Sequence, residues 1–221
     1  MRKIALFLLL AAGSVTAQTS KSLGDFSQLK VFDRIEVTLV PSDENRIELR
    51  GPGSGDVEFV TKNDLLKIRM SVGRTLDGDG VKATLYFKEL NDVDASEGAL
   101  ITTDATIKAP KMTVTAKEGA QIELNLDVQN VAVKSVTGGI VRLAGSAENM
   151  NASLGTGGIL QAKPLQTEQT EISISAGGDA EITASELAEA SIRAGGNIKI
   201  YGHPKQVNKK TTLGGTIEVV N

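Results

Sequence analysis

Four carboxylates are the residues from which hydrolytic chemistry would have to be built. Asp92 and Asp94 share a strand face, and Glu97 and Glu118 occupy the same phase of consecutive repeats. Acids placed this closely couple their titration, so one can donate a proton while the other stays ionised, as glycan cleavage requires. No Arg or Lys cluster accompanies them as a substrate clamp, and paired acids arise easily in an acidic chain. Asp77 and Asp79, in TLDGDG, look like part of a calcium loop, but the Gly and the distant Glu do not fit EF-hand spacing. A solvated turn is the better reading there. His203 is the single histidine, sits beside Pro204 and has no nucleophile near it, which makes it a structural turn residue. The chain has no Cys, so thiol nucleophiles, disulfides and Cys-based zinc sites are excluded, and no metal or cofactor is expected.

Uncharged polar residues form a second constellation. Thr113, Thr115, Asn151, Ser153, Ser173 and Ser191 recur in matching phase on the outward side of one strand of the repeat. A flat surface of hydroxyls and amides can hydrogen-bond a glycan or a protein edge, although Thr and Ser on an exposed strand also reflect β-propensity alone. On the other strand Arg142, Gln161, Glu181, Lys199 and Glu218 point outward in one phase. Stacked, they make a partly alternating charge ladder, a solvated face whose pairs contribute about 0.2–1 kcal/mol each. Aromatic residues are 3% of the chain and Trp is absent, so the platforms on which sugars and unpaired bases stack are scarce.

Positioning elements follow from the ends of the chain inward. Residues 1–17, MRKIALFLLLAAGSVTA, carry Arg2 and Lys3 ahead of an apolar run, with small residues before Gln18. That pattern predicts a signal peptide cleaved before Gln18, too short to span a bilayer, and hence an exported protein of the periplasm, outer surface or medium. No integral membrane span is expected. Loss of the two basic residues takes the net charge from −3 to about −5, a poor balance for nucleic acid or anionic lipid.

Glycines at Gly98, Gly119, Gly139, Gly158, Gly178, Gly196 and Gly215 recur every 18 to 21 residues, five of them in Gly-Gly pairs. After each pair the second and fourth residues are apolar or small, as in Val141 and Leu143 or Ile198 and Ile200. That is a period-2 strand with one buried face. A second alternating stretch precedes each pair (Ala152 and Leu154, Ile172 and Ile174), and Leu165 or Leu187 between them marks a short third side. No gap accommodates a crossover helix. A coil of about twenty residues that returns to the same phase predicts an all-β, right-handed parallel β-helix or β-solenoid. The alternative is an antiparallel β-sandwich or meander.

Residues 18–32 are expected to cap the N-terminal end. Residues 33–98 form less regular rungs, drawn as 33–51, 56–73 and 81–98, and 99–221 the regular solenoid. Every Phe beyond the leader falls at or before Phe87, so the first third should have a wider or differently capped core. The final TIEVVN stops in mid-strand, an end through which the protein could form a homo-oligomer.

The stretch GGNIKIYGHPKQVNKKTTLGGTIEVV, residues 195–220, resembles the closing signature of the auto-transporter adhesin, head GIN domain family. The positions that carry it are Tyr201, Gly202, Pro204, Val207, Lys209, Lys210 and Gly214, and FDRIEVTLV at 32–40 resembles the family's first strand. The resemblance implies a signal-bearing envelope or surface protein with a β-helical fold and brings no catalytic residues. Two function classes follow. One is a non-enzymatic adhesin or envelope scaffold binding a glycan or protein ligand. The other is a carbohydrate-active enzyme, lyase or hydrolase, using the acids named above. An envelope component with no ligand of its own is a blander third.

Overall fold

The computed structural model describes residues 19–220, and the signal peptide expected at 1–17 lies outside them. Strict alternation of Val, Ile, Leu and Ala with polar residues makes nearly every segment a strand with one buried side. In chain order these are β1 (Thr19–Ser22), β2 (Gln28–Val31), β3 (Glu36–Pro41), β4 (Arg46–Arg50), β5 (Val57–Lys62), β6 (Leu65–Met70), β7 (Lys82–Phe87) and β8 (Asp92–Ala95). There follow β9 (Leu100–Ala116), β10 (Gln121–Val136), β11 (Ile140–Gly155), β12 (Gly158–Ile174), β13 (Gly178–Ala194), β14 (Asn197–Tyr201), β15 (Gln206–Leu213) and β16 (Thr216–Val219). The fold is a β-solenoid of about seven turns.

Each long strand serves two faces. In β10, Ile122, Leu124 and Leu126 point inward on the first face, here face A, and Val131, Val133 and Ser135 point inward on the opposite one, face B. Leu165 is fully buried at the bend between the faces, whereas Leu187 points outward on face B. The bend slips the ladder register, between Ala162 and Gln166 for example. Buried hydroxyls replace the ladder bonds lost there: Thr167 Oγ1 donates to the Thr183 carbonyl at 2.6 Å and Thr183 Oγ1 to that of Lys163 at 2.8 Å. Neighbouring rungs are parallel, with Gln121 beside Ile140 and Val131 beside Met150. Among the described residues antiparallel pairs are confined to β1–β4, β4–β7 and β5–β6, which removes the sandwich alternative.

The return from face B to face A is a tight turn. Glu97 and Gly98, Glu118 and Gly119, Thr137 and Gly138, and Thr156 and Gly157 all have two successive residues at positive φ. At the third of these the Gly139 N–H bonds the Val136 carbonyl at 3.0 Å, closing a type I′ turn. The turns stack as well, through bonds such as Gly119 N to Thr137 O at 3.1 Å. This corrects the glycine phase read from sequence. Gly98 and Gly119 are equivalent to Gly138 and Gly157, not to Gly139 and Gly158. Gly139 and Gly158 are the first residues of face A, in the positions held by Ala99 and Ala120 in earlier rungs, and Gly178, Gly196 and Gly215 follow them. For Gly139 and Gly158 the requirement is space, since a Cβ on Gly139 would lie 2.3 Å from the Ala116 carbonyl oxygen, whereas Gly178, Gly196 and Gly215 also have positive φ.

The N-terminal third departs from the drawn rungs. Along face A the order is β1-β4-β7-β3-β9, and along face B it is β5-β6-β2-β8-β9. The segments 33–51, 56–73 and 81–98 are therefore not three successive coils, because β7 enters between β3 and β4. Of the expected cap, β1 does lie on an edge, but β2 sits inside the stack between β6 and β8. Two buried polar residues secure this weave. The Asp33 carboxylate accepts the Met70 and Leu76 N–H groups at 2.9 Å each, tying down the β6–β7 loop. Asn45 accepts the Lys88 N–H at 3.0 Å and donates to Gly24 O and Asp25 Oδ1. At the last described rung Lys209 stands in the phase of inward Ala190, with Nζ 3.3 Å from the Ile217 carbonyl. A charge across the end of a core disfavours strand addition there.

Candidate ligand-binding face

Parallel stacking places residues of equal phase in straight columns, about 4.8 Å apart from strand to strand. On face B one outward column reads Asp92, Thr113, Ala132, Asn151, Glu171, Glu189 and Asn208. The next reads Asp94, Thr115, Lys134, Ser153, Ser173, Ser191 and Lys210. All six expected ligand-contacting residues, Thr113, Thr115, Asn151, Ser153, Ser173 and Ser191, therefore share one face. Ala132 and Lys134 separate the threonine pair from Asn151 and Ser153.

Sequence reading missed a third column beside these, Lys111, Asn130, Asn149, Gln169, Leu187 and Gln206. The repeat spacing alone could have found it. Asn149 Nδ2 donates to Asn130 Oδ1 at 3.1 Å, Asn151 Nδ2 to Glu171 Oε2 at 2.9 Å, and Asn208 Nδ2 to Glu189 Oε1 at 2.8 Å. These bonds fix the amides and leave their remaining donors and acceptors toward solvent. Across β9 to β13 the face sinks into a depression of about 440 Å³, lined among others by Asn130, Ala132, Asn149, Asn151, Gln169 and Glu171.

Face A carries the charge ladder in the expected register, Arg142, Gln161, Glu181, Lys199 and Glu218. Arg142 bonds Gln121, Glu123 and Gln161, and Lys199 Nζ lies 3.6 Å from Glu181. Arg142, Glu181 and Lys199 are thus paired within the face.

The four acids fall in two places, Asp92 and Asp94 on face B and Glu97 and Glu118 in stacked turns. Asp94 is buried and its Oδ2 lies 3.2 Å from Lys30 Nζ and 3.3 Å from Lys117 Nζ. That makes it a paired structural anion. Asp92 is raised from the usual aspartate range by desolvation, with Lys30 opposing and Asp94 adding to the shift. Glu97 and Glu118 occupy the first positions of stacked turns. Glu97 is also raised, by desolvation first, then by Asp33 and Glu118. Asp79 pairs with Arg34 at 2.9 Å and Asp77 with Arg74 at 3.6 Å, so both belong to the surface of the β6–β7 loop. His203 is exposed in a turn at φ 54°. Among the described residues no three His, Asp or Glu side chains gather as metal ligands, and no helix is long and apolar enough to cross a membrane.

A two-faced parallel β-solenoid whose outward columns carry polar side chains is a repeat scaffold that presents an extended lateral surface. The chain belongs to the family described as "Putative auto-transporter adhesin, head GIN domain", whose model matches residues 25–204. Solved structures share the fold. A putative adhesin from Bacteroides fragilis superposes with a TM-score of 0.85 at 18% identity, covering 94% of this chain and 98% of that one. A putative adhesin from Parabacteroides merdae gives 0.71 at 19% identity, covering 95% and 98%. A protein from Parabacteroides distasonis named as a putative lipid binding protein gives 0.71 at 13% identity, covering 95% and 98%. Among curated proteins none matches the sequence.

Proposed function

We propose that this protein is an exported, non-catalytic adhesin-like scaffold that engages its ligand on face B. The observation that carries the reading is the register: six hydroxyl and amide residues far apart in sequence fall into two adjacent outward columns, beside a third column rich in amides. Side chains repeating at about 4.8 Å on a rigid sheet can hydrogen-bond a hydroxyl-rich chain or a polar protein surface without reorganising. Family membership and the adhesin names of its structural neighbours support the same role, and the leader at 1–17 supports export. The ion-paired state of Asp94 argues against a pair of catalytic acids on this face.

The test is a binding screen of residues 18–221 against a glycan array, extracellular-matrix proteins and lipid vesicles. It is run beside a variant combining Thr113→Ala, Thr115→Ala, Asn151→Ala and Ser153→Ala. The expected result is a specific ligand bound by the parent and lost by the variant, with unchanged melting. A folded parent that binds nothing, or a variant that binds as the parent does, overturns the assignment.

A further inference from the structure

The outward charges of face B are sorted by column. Along β10, β11, β12, β13 and β15 they are Lys134, Glu171, Glu189, Arg193 and Lys210. Both acids stand in the column of Asn151 and Asn208, and each accepts a hydrogen bond from one of those amides. The three cations stand nearer the Gly turns. Lys134 and Lys210 share the column of Ser153, Ser173 and Ser191, and Arg193, flanked in register by Ser175 and Thr212, belongs to the column beside it. All three are exposed, and among the described residues no ion pair or hydrogen bond engages the side chain of any of them. On face A, by contrast, Arg142 and Lys199 are matched within the chain.

Between these cations the surface is low. Over β11 and β12 the two turn-side columns hold only Ser153, Gly155, Ser173 and Ser175, and the Ser153 and Ser173 side chains are exposed. Lys134 closes one end of this strip and Arg193 with Lys210 the other. From β10 to β15 the strip covers four strand spacings, roughly 19 Å. Beyond Lys134 the column passes through Thr115 to Asp94, whose charge Lys30 and Lys117 already hold.

From this we infer that the ligand of face B is an anionic glycan, a chain bearing carboxylate or sulfate groups, laid along the solenoid axis on the strip between Lys134 and Lys210. The inference rests on face B being the contact surface proposed above, and it names the class of ligand and its track. The Arg193 guanidinium offers a fork of donors to one acidic group, while Lys134 and Lys210 supply point charges to others. The hydroxyls of Ser153 and Ser173, each both donor and acceptor, meet sugar hydroxyls in between. Glu171 and Glu189 border the strip one outward position away, roughly 6.6 Å across the sheet. They repel a broad anionic surface such as a bilayer or a nucleic-acid duplex, which would cover both columns, and leave the turn side to a single chain. These five strands hold no aromatic residue on which unpaired bases could stack. The contact is ionic and solvated, so it weakens as salt screens it.

The experiment is isothermal titration calorimetry of residues 18–221 at low and at high salt. The probes are an octasaccharide of galacturonic acid and a heparin octasaccharide, with the methyl-esterified galacturonate as the neutral control. Three variants are run alongside: Lys134→Gln with Arg193→Gln and Lys210→Gln, Glu171→Gln with Glu189→Gln, and Lys108→Gln with Lys199→Gln. All seven positions are exposed, and circular dichroism checks that folding is unchanged. The expected result is that an acidic octasaccharide binds, more tightly at low salt, and the neutral one does not. The triple variant should weaken binding by about tenfold or more, the glutamate variant should bind at least as tightly as the parent, and the Lys108 and Lys199 variant should bind as the parent does. Neither acidic probe binding at low salt, the methyl ester binding equally well, or the triple variant binding as the parent does overturns the inference. Phosphatidylglycerol vesicles or a single-stranded oligonucleotide bound more tightly than both octasaccharides overturns it as well. Failure here is distinct from failure of the ligand face. If the screen finds a neutral glycan or a protein that is lost in the Thr113, Thr115, Asn151 and Ser153 variant while the acidic octasaccharides do not bind, the face stands and only its ligand class falls.

Discussion

Adding one methyl group at Gly139 probes how closely the turn edge is stacked. A Cβ there meets the Ala116 carbonyl oxygen at 2.3 Å, its carbon at 2.5 Å and the Lys117 nitrogen at 2.9 Å, all backbone atoms that no rotamer change can move. Ordinary contact for such atoms is about 3.5 Å, so the two rungs must separate by about 1 Å. That displacement acts on three hydrogen bonds: Gly139 N to Val136 O at 3.0 Å, Ser135 Oγ to Gly139 O at 2.6 Å, and Ile159 N to Gly139 O at 2.9 Å. At about 1 kcal/mol each, Gly139→Ala should cost about 3 kcal/mol. Gly138→Ala is the control. That position has φ +73° with nothing within 4 Å of a new Cβ, so it carries only the left-handed backbone cost of about 1–2 kcal/mol. Urea unfolding followed by circular dichroism measures both. The reasoning is refuted if Gly139→Ala falls within about 0.5 kcal/mol of the parent, the range of an ordinary surface change, or if Gly138→Ala is the more damaging of the two.

Thr137 places a β-branched side chain at φ 52° in the first position of a type I′ turn, where Asn is preferred. Thr137→Asn should stabilise by about 0.5–1 kcal/mol, read as a higher melting temperature in calorimetry, and an unchanged or lower value counts against the turn assignment. Glu97 binds its proton more tightly folded than unfolded, so it subtracts stability as pH rises above the ordinary glutamate value of 4.5 and has no effect well below it. Glu97→Gln should therefore raise the melting temperature at neutral pH and leave it unchanged in acid; a gain equal at both pH values would remove titration as the cause. Asn45→Ala strands the Lys88 N–H and releases the Gly24–Asp25 segment, which should cost about 2–3 kcal/mol and speed amide exchange at Lys88, whereas unaltered exchange would show that Asn45 is not the tie.

What was legible in the sequence was whatever the repeat imposes. Alternation at Val141 and Leu143 or Ile172 and Ile174 follows from two faces closing on one core, and all four are buried. The outward columns follow from the same phase, which is why Thr115, Ser153, Ser173 and Ser191 could be assigned together. The Gly-Gly pairs hid a one-residue ambiguity: at 138–139 and 157–158 the first glycine meets a dihedral demand and the second a steric one, and spacing alone does not separate them. Alternation is also indifferent to which strand lies alongside, so β3 and β7 read as members of successive coils and β2 as part of a cap, although all three interleave. Leu187 misled for a related reason, because an apolar residue at a bend has no phase to declare its side.

The interleaving of β7 between β3 and β4 has a bearing on the order in which the chain can fold. As residues 19–70 emerge, β1 can meet β4, and β2 can meet β6, but β3 lacks both of its neighbours until residues 82–102 arrive. From β9 to β14 each strand pairs with the one just made, and β15 and β16 pair with β13 and β14 of the preceding coil, so assembly there proceeds coil by coil. The slow step, bringing together contacts of long sequence separation, thus falls at the beginning of the chain and the fast, templated steps after it.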